Sequence, residues 1–363
     1  MRMFAGSNAH DVLMVTNAWP RDDYPSRGIF VRRQIESLRA LGLSCDVIVV
    51  EGYQNRWEYV RTAIHMLRLN WSKSRPRIVH GHGGETALAV RWYVRGPVLV
   101  SYWGSDLLGA PRGDGSLIFA SRLRRFILRR QARLMSATTT KSGAMQAALP
   151  PGIRERNVVL PDGVDRSLFR PRPRDEARAQ LGWPLADRIV LFAADPAVAL
   201  KRYWLAEDAR LAAEERIGPV RLEVARATAP DEMPLVMAAA DCLLLTSSSE
   251  GSSNVVKEAV TCGLPVITTD VGDVSQVLRG VEPSWICAPH PDSLADALVK
   301  CLSERRRSNG WETSRWFSEE EIGMRVLQLY RKLAPDLPLR ANGDRPRDSW
   351  DSHSSEAFDK PEP

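Results

Sequence analysis

Short apolar, β-branched runs recur along the chain, each followed by a stretch with the spacing of an amphipathic helix. In the first half the runs are DVLMVT (11–16), CDVIVV (45–50), RIVHG (77–81), VLVSY (98–102) and VVLP (158–161). In the second half they are RIVLFAA (188–194), VRLEVA (220–225), DCLLLT (241–246), PVITT (265–269) and WICA (285–288). Strands that are apolar on both faces and alternate with helices mark parallel sheets covered on both sides. The pattern therefore predicts an α/β chain of two doubly wound domains. Pro161, Pro171, Pro173 and the arginines among them interrupt the periodicity. They divide the chain into an N-terminal domain over 1–165, a linker over 166–174 and a C-terminal domain over 175–316. In FSEEEIGMRVLQLYRKL, Ser318 stands at an N-cap, glutamates fill the first turn, and Arg331 and Lys332 fill the last. A closing helix is expected over 317–335. Residues 336–363 are polar and proline-rich, a composition that buries no core and predicts a disordered tail.

The length of 363 residues fits two cores better than one. Apolar runs are all too short to cross a membrane. The first residues lack an apolar h-region and carry Asp11 where one would lie, so no secretory signal is expected and the cytoplasm is the predicted compartment. The five cysteines are odd in number, widely spaced and without a CxxC, which points to plain thiols. A net charge of +6 invites an anionic partner without choosing among phosphate ligands, lipid surfaces and nucleic acid.

The chemistry concentrates in SSSEGSSNVVKEAVTCGLPVITTDVG, residues 247–272. It follows one predicted strand and leads into a helix beginning near Ser253, at the carboxyl end of a parallel sheet where ligands bind. Gly251, Ser252 and Ser253 are small enough to let backbone N–H groups approach a ligand, and the helix points its positive end there. A phosphate suits that place. Glu250 precedes the helix and reaches over such a ligand. Glu258 lies one turn inside, where a carboxylate accepts two hydroxyls, as from a ribose diol.

The segment AADCLLLTSSSEGSSNVVKEAVTCGLPVITTDVGDVSQVL resembles the donor site of family 4 glycosyltransferases, whose fold is GT-B: two Rossmann-like domains facing across a cleft. LPDGVDRSLFRP (160–171), RPRIVHGHGG, VLVSYWGSDLLG and PSRGIFVRRQIESLRALG are similar to further elements of that family, so the resemblance covers roughly residues 11–333. It implies a retaining, metal-independent enzyme without cofactor that transfers a sugar from a nucleotide diphosphate to a hydroxyl acceptor, in polysaccharide, glycolipid or glycoconjugate biosynthesis. Glu258 would hold the ribose and Glu250 would contact the transferred sugar. The amides around Ser253, Asn254 and Val255 would bind the diphosphate, and Lys201, in DPAVALKRYWLA, would neutralise it as it leaves. The acceptor side or the cleft would include Gly28, His82, Trp103 and Asp106. Departures from the family pattern are Asp195 where an Arg is usual, with Arg202 as the candidate replacement, Trp103 where a His is usual, Asp162 for Asn, and Gln276 for an acid.

His80 and His82 lack a third ligand, which favours a loop or acceptor-side role over a metal. The arginine-rich stretches 122–134 and 56–77 are either ordinary surface helices or a patch for anionic lipid, placing the chain peripherally on the inner face of the cell membrane. No nucleic-acid motif is present. A dehydrogenase is disfavoured because no G-x-G-x-x-G follows DVLMVT. Two other functions remain open: a sugar-nucleotide epimerase on the same fold, and a weak or inactive partner subunit that still binds donor.

Overall fold

The computed structural model describes residues 2–4 (backbone only), 10–21, 24, 27–109, 119–226 and 228–337. The chain divides after Gly163 and again after Ser318 into two compact units, with Glu319 onward returning to the first. The expected boundaries at 165/166 and 316/317 therefore fall two residues away, and the last helix belongs to the first unit.

The first unit is built on seven strands: β1 Arg2–Phe4, β2 Val12–Thr16, β3 Cys45–Val49, β4 Ile78–His82, β5 Val98–Ser101, β6 Ala137–Thr140 and β7 Asn157–Val159. Their order is β1-β3-β2-β4-β5-β6-β7, parallel throughout except for β1 against β3. The order reverses at β2, with β3 on one side and β4 on the other. Residues Val12 to Thr16 and Ile78 to His82 are wholly buried, as strands with helices on both faces must be.

Strand β6 was not legible as an apolar run because its sequence is ATTT. Threonine has strong strand preference, and the hydroxyls here have partners. Thr138 Oγ1 donates to Asn157 Oδ1 at 3.0 Å, Asn157 Nδ2 donates to Thr140 Oγ1 at 2.9 Å, and Thr139 meets Ser101 at 2.6 Å.

The closing helix forms over Glu319–Leu333 and packs on the helix Ile29–Ala40. A Cβ on Gly323 would lie 2.2 Å from Ser37 Oγ, so glycine permits the close approach. Tyr330, fully buried, brings its hydroxyl 2.6 Å from His80 Nδ1 under the sheet's core. Of the expected tail, residues 338–363 lie outside the described residues, while Leu337 is buried against the first core.

The second unit has β8 Ile189–Phe192, β9 Arg221–Val224, β10 Cys242–Leu245, β11 Val266–Thr269 and β12 Trp285–Cys287, all parallel, in the order β12-β11-β10-β8-β9. Its order reverses at β8, so loops leaving β8 and β10 flank a topological switch point. The stretch 166–174 is packed rather than a bare linker. Asp165 Oδ1 accepts the Ser167 N–H at 2.8 Å, and the turn sends Phe169 into this unit's core. Arg174 and Arg178, which interrupt the apolar pattern, both pair with the buried Asp241, at 2.8 and 2.9 Å.

Candidate active site

Lys201 ends a short turn, Ala199–Lys201, in the loop after β8, and Glu250 lies in the loop after β10. Across the switch point Lys201 Nζ meets Glu250 Oε1 at 2.5 Å, with both side chains partly shielded from solvent. The two residues that sequence placed in catalysis thus come together although 49 positions separate them.

Arg202 holds the two loops in register. Its backbone is left-handed at φ 47°, an uncommon state for a residue with a Cβ. Its Nε donates to the Thr246 carbonyl at 2.5 Å and its Nη2 to the Ser247 carbonyl at 2.8 Å. In return Thr246 Oγ1 donates to the Lys201 carbonyl at 2.8 Å. Arg202 was expected as a donor-binding charge. Its guanidinium instead satisfies backbone carbonyls beyond the end of β10, and burial lowers its pKa.

The helix Asn254–Thr261 starts at Ser253, with Val255 in its first turn and Glu258, half-buried, one turn inside. The glycine of the following turn, Gly272, sits at φ 64° with the Glu250 and Gly251 carbonyls 3.1 and 3.2 Å from where a Cβ would lie. The loop around Gly251 is therefore seated on the turn after β11.

Beneath it is a charged network that sequence reasoning missed. Lys257 is fully buried, and its Nζ donates to Ser252 Oγ at 3.1 Å, while Ser252 Oγ donates to Asp273 Oδ2 at 2.6 Å. Burial pushes the Asp273 carboxyl up, opposed by the Lys257 charge and by hydrogen bonds from Ser252 and from the Ser253 backbone N–H. The Ser253 amide, expected on a diphosphate, is thus engaged with Asp273. The N–H groups of Asn254 and Val255 head the helix beside it. Among the described residues Asn254 Oδ1 and Ser247 Oγ are buried without a hydrogen-bond partner, and a ligand with hydroxyl or amide donors would relieve Asn254.

In the first unit, three groups gather at the carboxyl ends of β2, β4 and β5. Asn17 Nδ2 donates to Tyr59 and to Glu85 at 3.0 and 3.2 Å, which leaves Asn17 Oδ1 buried and unpartnered. Among the described residues both nitrogens of His82 and the Nε1 of Trp103 are likewise buried without partners. Burial, with Lys141 adding repulsion, lowers the His82 pKa to about 3, so the ring is neutral and offers one donor and one acceptor. A Cβ on Gly83 would lie 2.8 Å from Asn17 Oδ1 and 3.3 Å from Trp103. Gly28, at φ 66°, lets the start of the helix Ile29–Ala40 approach Ala18. Phe30 from that helix packs edge-on against Trp103.

Asp106 does not join this group as a ligand contact. Its buried carboxylate accepts from the N–H groups of Gly84 and Trp103 at 2.7 and 2.8 Å and from Arg124 Nη2 at 2.7 Å. It ties loops together. Asp162, a departure from the family pattern, pairs with the buried Lys141 at 2.6 Å. His80 is occupied by Tyr330 and Ser101, and among the described residues no group of three or more His, Cys, Asp or Glu is placed to hold a metal.

Residues 202–304, which contain the loop after β10 and both glutamates, match the family Glycosyl transferases group 1. The chain is a glycosyltransferase. The transferase is 24% identical to TuaC of Bacillus subtilis (strain 168), named as a teichuronic acid biosynthesis glycosyltransferase, over 81% of this chain and 90% of that one. It is 27% identical to the D-inositol 3-phosphate glycosyltransferase of Rhodococcus erythropolis over 60% of this chain, and it spans 56% of that relative's length. Among solved structures, Anabaena Alr3699/HepE in complex with UDP-glucose superposes with a TM-score of 0.66 at 17% identity, covering 89% of this chain and 100% of that chain. That likeness establishes the GT-B fold of the transferase.

Proposed function

We propose that the transferase is a retaining family 4 enzyme that moves a sugar from a nucleotide diphosphate to the hydroxyl of a sugar or lipid-linked sugar, working in the cytoplasm or at the inner face of the cell membrane. The observation that carries this reading is the Lys201–Glu250 pair at the switch point of the second unit, beside the amino end of the helix Asn254–Thr261. Nucleotide-sugar binding is supported by a structural neighbour solved with UDP-glucose.

In this reading the amides of Asn254 and Val255 take the diphosphate, Glu258 takes the ribose, and the second oxygen of Glu250 accepts hydroxyls of the transferred sugar. The bond from the anomeric carbon to the leaving phosphate breaks while the bond to the acceptor oxygen forms on the same face. The acceptor proton passes to a phosphate oxygen. Charge on the departing diphosphate is the largest electrostatic demand of this step, and Lys201 meets it. No metal and no cofactor takes part. The acceptor side falls to the first unit, where Asn17, neutral His82 and Trp103 present unpaired donors and acceptors suited to hydroxyls.

The test follows the anomeric proton by NMR while donor is consumed with and without an acceptor. Donor consumption that requires acceptor and a product of retained configuration is the expected result. Equal turnover without acceptor would mean an epimerase or hydrolase, and an inverted product would remove the same-face mechanism.

A further inference from the structure

The helix Trp57–Leu69 of the first unit buries Glu58, Thr62 and Met66, with Tyr59 and Leu69 packed against the core beside Met66. The face it exposes carries Trp57, Val60, Ile64 and Leu67 beside Arg61 and Arg68, and the stripe continues to Trp71, whose exposure is 76%. At helical rise these positions run for about 21 Å along one side. The helix is thus apolar on its outer face as well as its inner one, whereas a face turned only to water is polar.

Two neighbours share the feature. Asn70 joins this helix to the segment after Ala87–Val90 by two hydrogen bonds of 2.9 Å, and there Trp92 and Val94 are exposed. Arg91, whose guanidinium lies 4.6 Å over the Trp92 ring, donates to Gln131 at the end of the helix Phe119–Gln131. That third element exposes Phe119, at 80%, with Leu123 and Phe126 at i+4 and i+7. It also carries five arginines and no acid. Not all five are available. Arg124 is paired with Glu85 and Asp106, and Arg129 donates to the Leu107 carbonyl.

We infer that these three elements are the surface by which the first unit seats in an anionic lipid leaflet, with the aromatic stripe inserted among the acyl chains. Three features choose lipid over a protein. Tryptophan, at Trp57, Trp71 and Trp92, suits the boundary between headgroup and hydrocarbon. Exposed Arg122 and Arg130 complement anionic headgroups. Among the described residues no helix is long and apolar enough to cross a membrane, so the contact lies in the plane of the surface. With two arginines already paired, apolar insertion carries more of the attachment than charge does. The inference leans on the proposed reaction only for its purpose, bringing the unit to a lipid-linked acceptor.

The experiment is co-sedimentation with vesicles of one part phosphatidylglycerol to three parts phosphatidylcholine, and with phosphatidylcholine alone, at low and high salt. The parent is expected to bind the anionic vesicles more tightly, with salt weakening binding but not abolishing it. A triple variant, Trp57→Ser, Ile64→Ser and Trp71→Ser, changes only exposed side chains and is expected to lose at least tenfold in partition at both salts, while binding nucleotide sugar as the parent does. Parent that sediments with neither vesicle overturns the inference, as does a variant that sediments equally well. Self-association of the parent that the triple variant abolishes also overturns it, by making a second copy of the chain the occupant. Since donor binding is measured on the same samples, failure here is distinct from failure of the proposed reaction.

Discussion

Lys201→Ala is expected to lower kcat by about 10²–10³-fold, the range seen when one preorganised charge or donor that meets developing transition-state charge is removed. The Michaelis constant for donor should change less, because the diphosphate gains most of its additional negative charge only as the glycosidic bond breaks. The geometry sharpens this expectation. Lys201 Nζ lies 2.5 Å from Glu250, so alanine removes the cation and also frees the carboxylate proposed to position the sugar. Arg202 is the adjacent residue, but its guanidinium spans the Thr246 and Ser247 carbonyls, which would lose their donors if it swung away. Lys201→Arg should restore part of the rate. Steady-state kinetics over a range of donor concentrations checks the split, and a change confined to the Michaelis constant would show that Lys201 binds ground state and transition state alike.

Lys257→Met should destabilise the second unit by about 3–5 kcal/mol, since breaking a buried pair leaves the partner charge uncompensated. The partner is Asp273, 6% exposed, joined to Lys257 through Ser252. The same change should raise the Michaelis constant for donor, because Ser252 and Ser253 form the loop that leads from Glu250 to the helix amides. Denaturant midpoints of Lys257→Met, Asp273→Asn and the double variant check this as a cycle. The double variant is expected to recover much of the loss, as a neutral pair needs no compensation. If the two losses simply add, the residues act independently and the network does not hold the loop.

Much of the architecture was legible because fully buried parallel strands leave a strong signal. All ten apolar runs became strands, and both halves became doubly wound sheets. Two strands, β1 and β6, lay outside those runs, and β6 shows what that signal measures. ATTT contains strand-forming side chains but little hydrophobicity, and its stability depends on cross-strand partners such as Asn157 that no local pattern contains. Prolines and arginines marked a linker over 166–174, yet Arg174 is drawn to Asp241, which lies over sixty residues away.

At the site, Lys201 and Glu250 could be named from motif and resemblance, and the fold brings them into contact. Lys257 could not. A lysine inside VVKEAV looks like a solvated helix residue until the turn at Gly272 and Asp273 is folded over it. Nor does WGSDLL reveal that the Asp106 carboxylate is occupied by Gly84, Trp103 and Arg124. Burial and pairing depend on distant chain segments, and no local pattern around Lys257 or Asp106 contains them.

The claim that the second unit binds a nucleotide-diphosphate sugar at the Asn254–Thr261 helix is tested most directly by calorimetric titration of UDP-, GDP-, ADP- and dTDP-sugars into the parent and into Glu258→Gln. The glutamine keeps size and helix preference but weakens hydroxyl acceptance, and a lost charge-assisted hydrogen bond costs about 1.5–3 kcal/mol, roughly ten- to a hundred-fold in affinity. The account predicts saturable binding of at least one donor to the parent, weakened by that factor in the variant with unchanged unfolding behaviour. Equal affinity in parent and variant, or binding of none of the four donors to the parent, would contradict it.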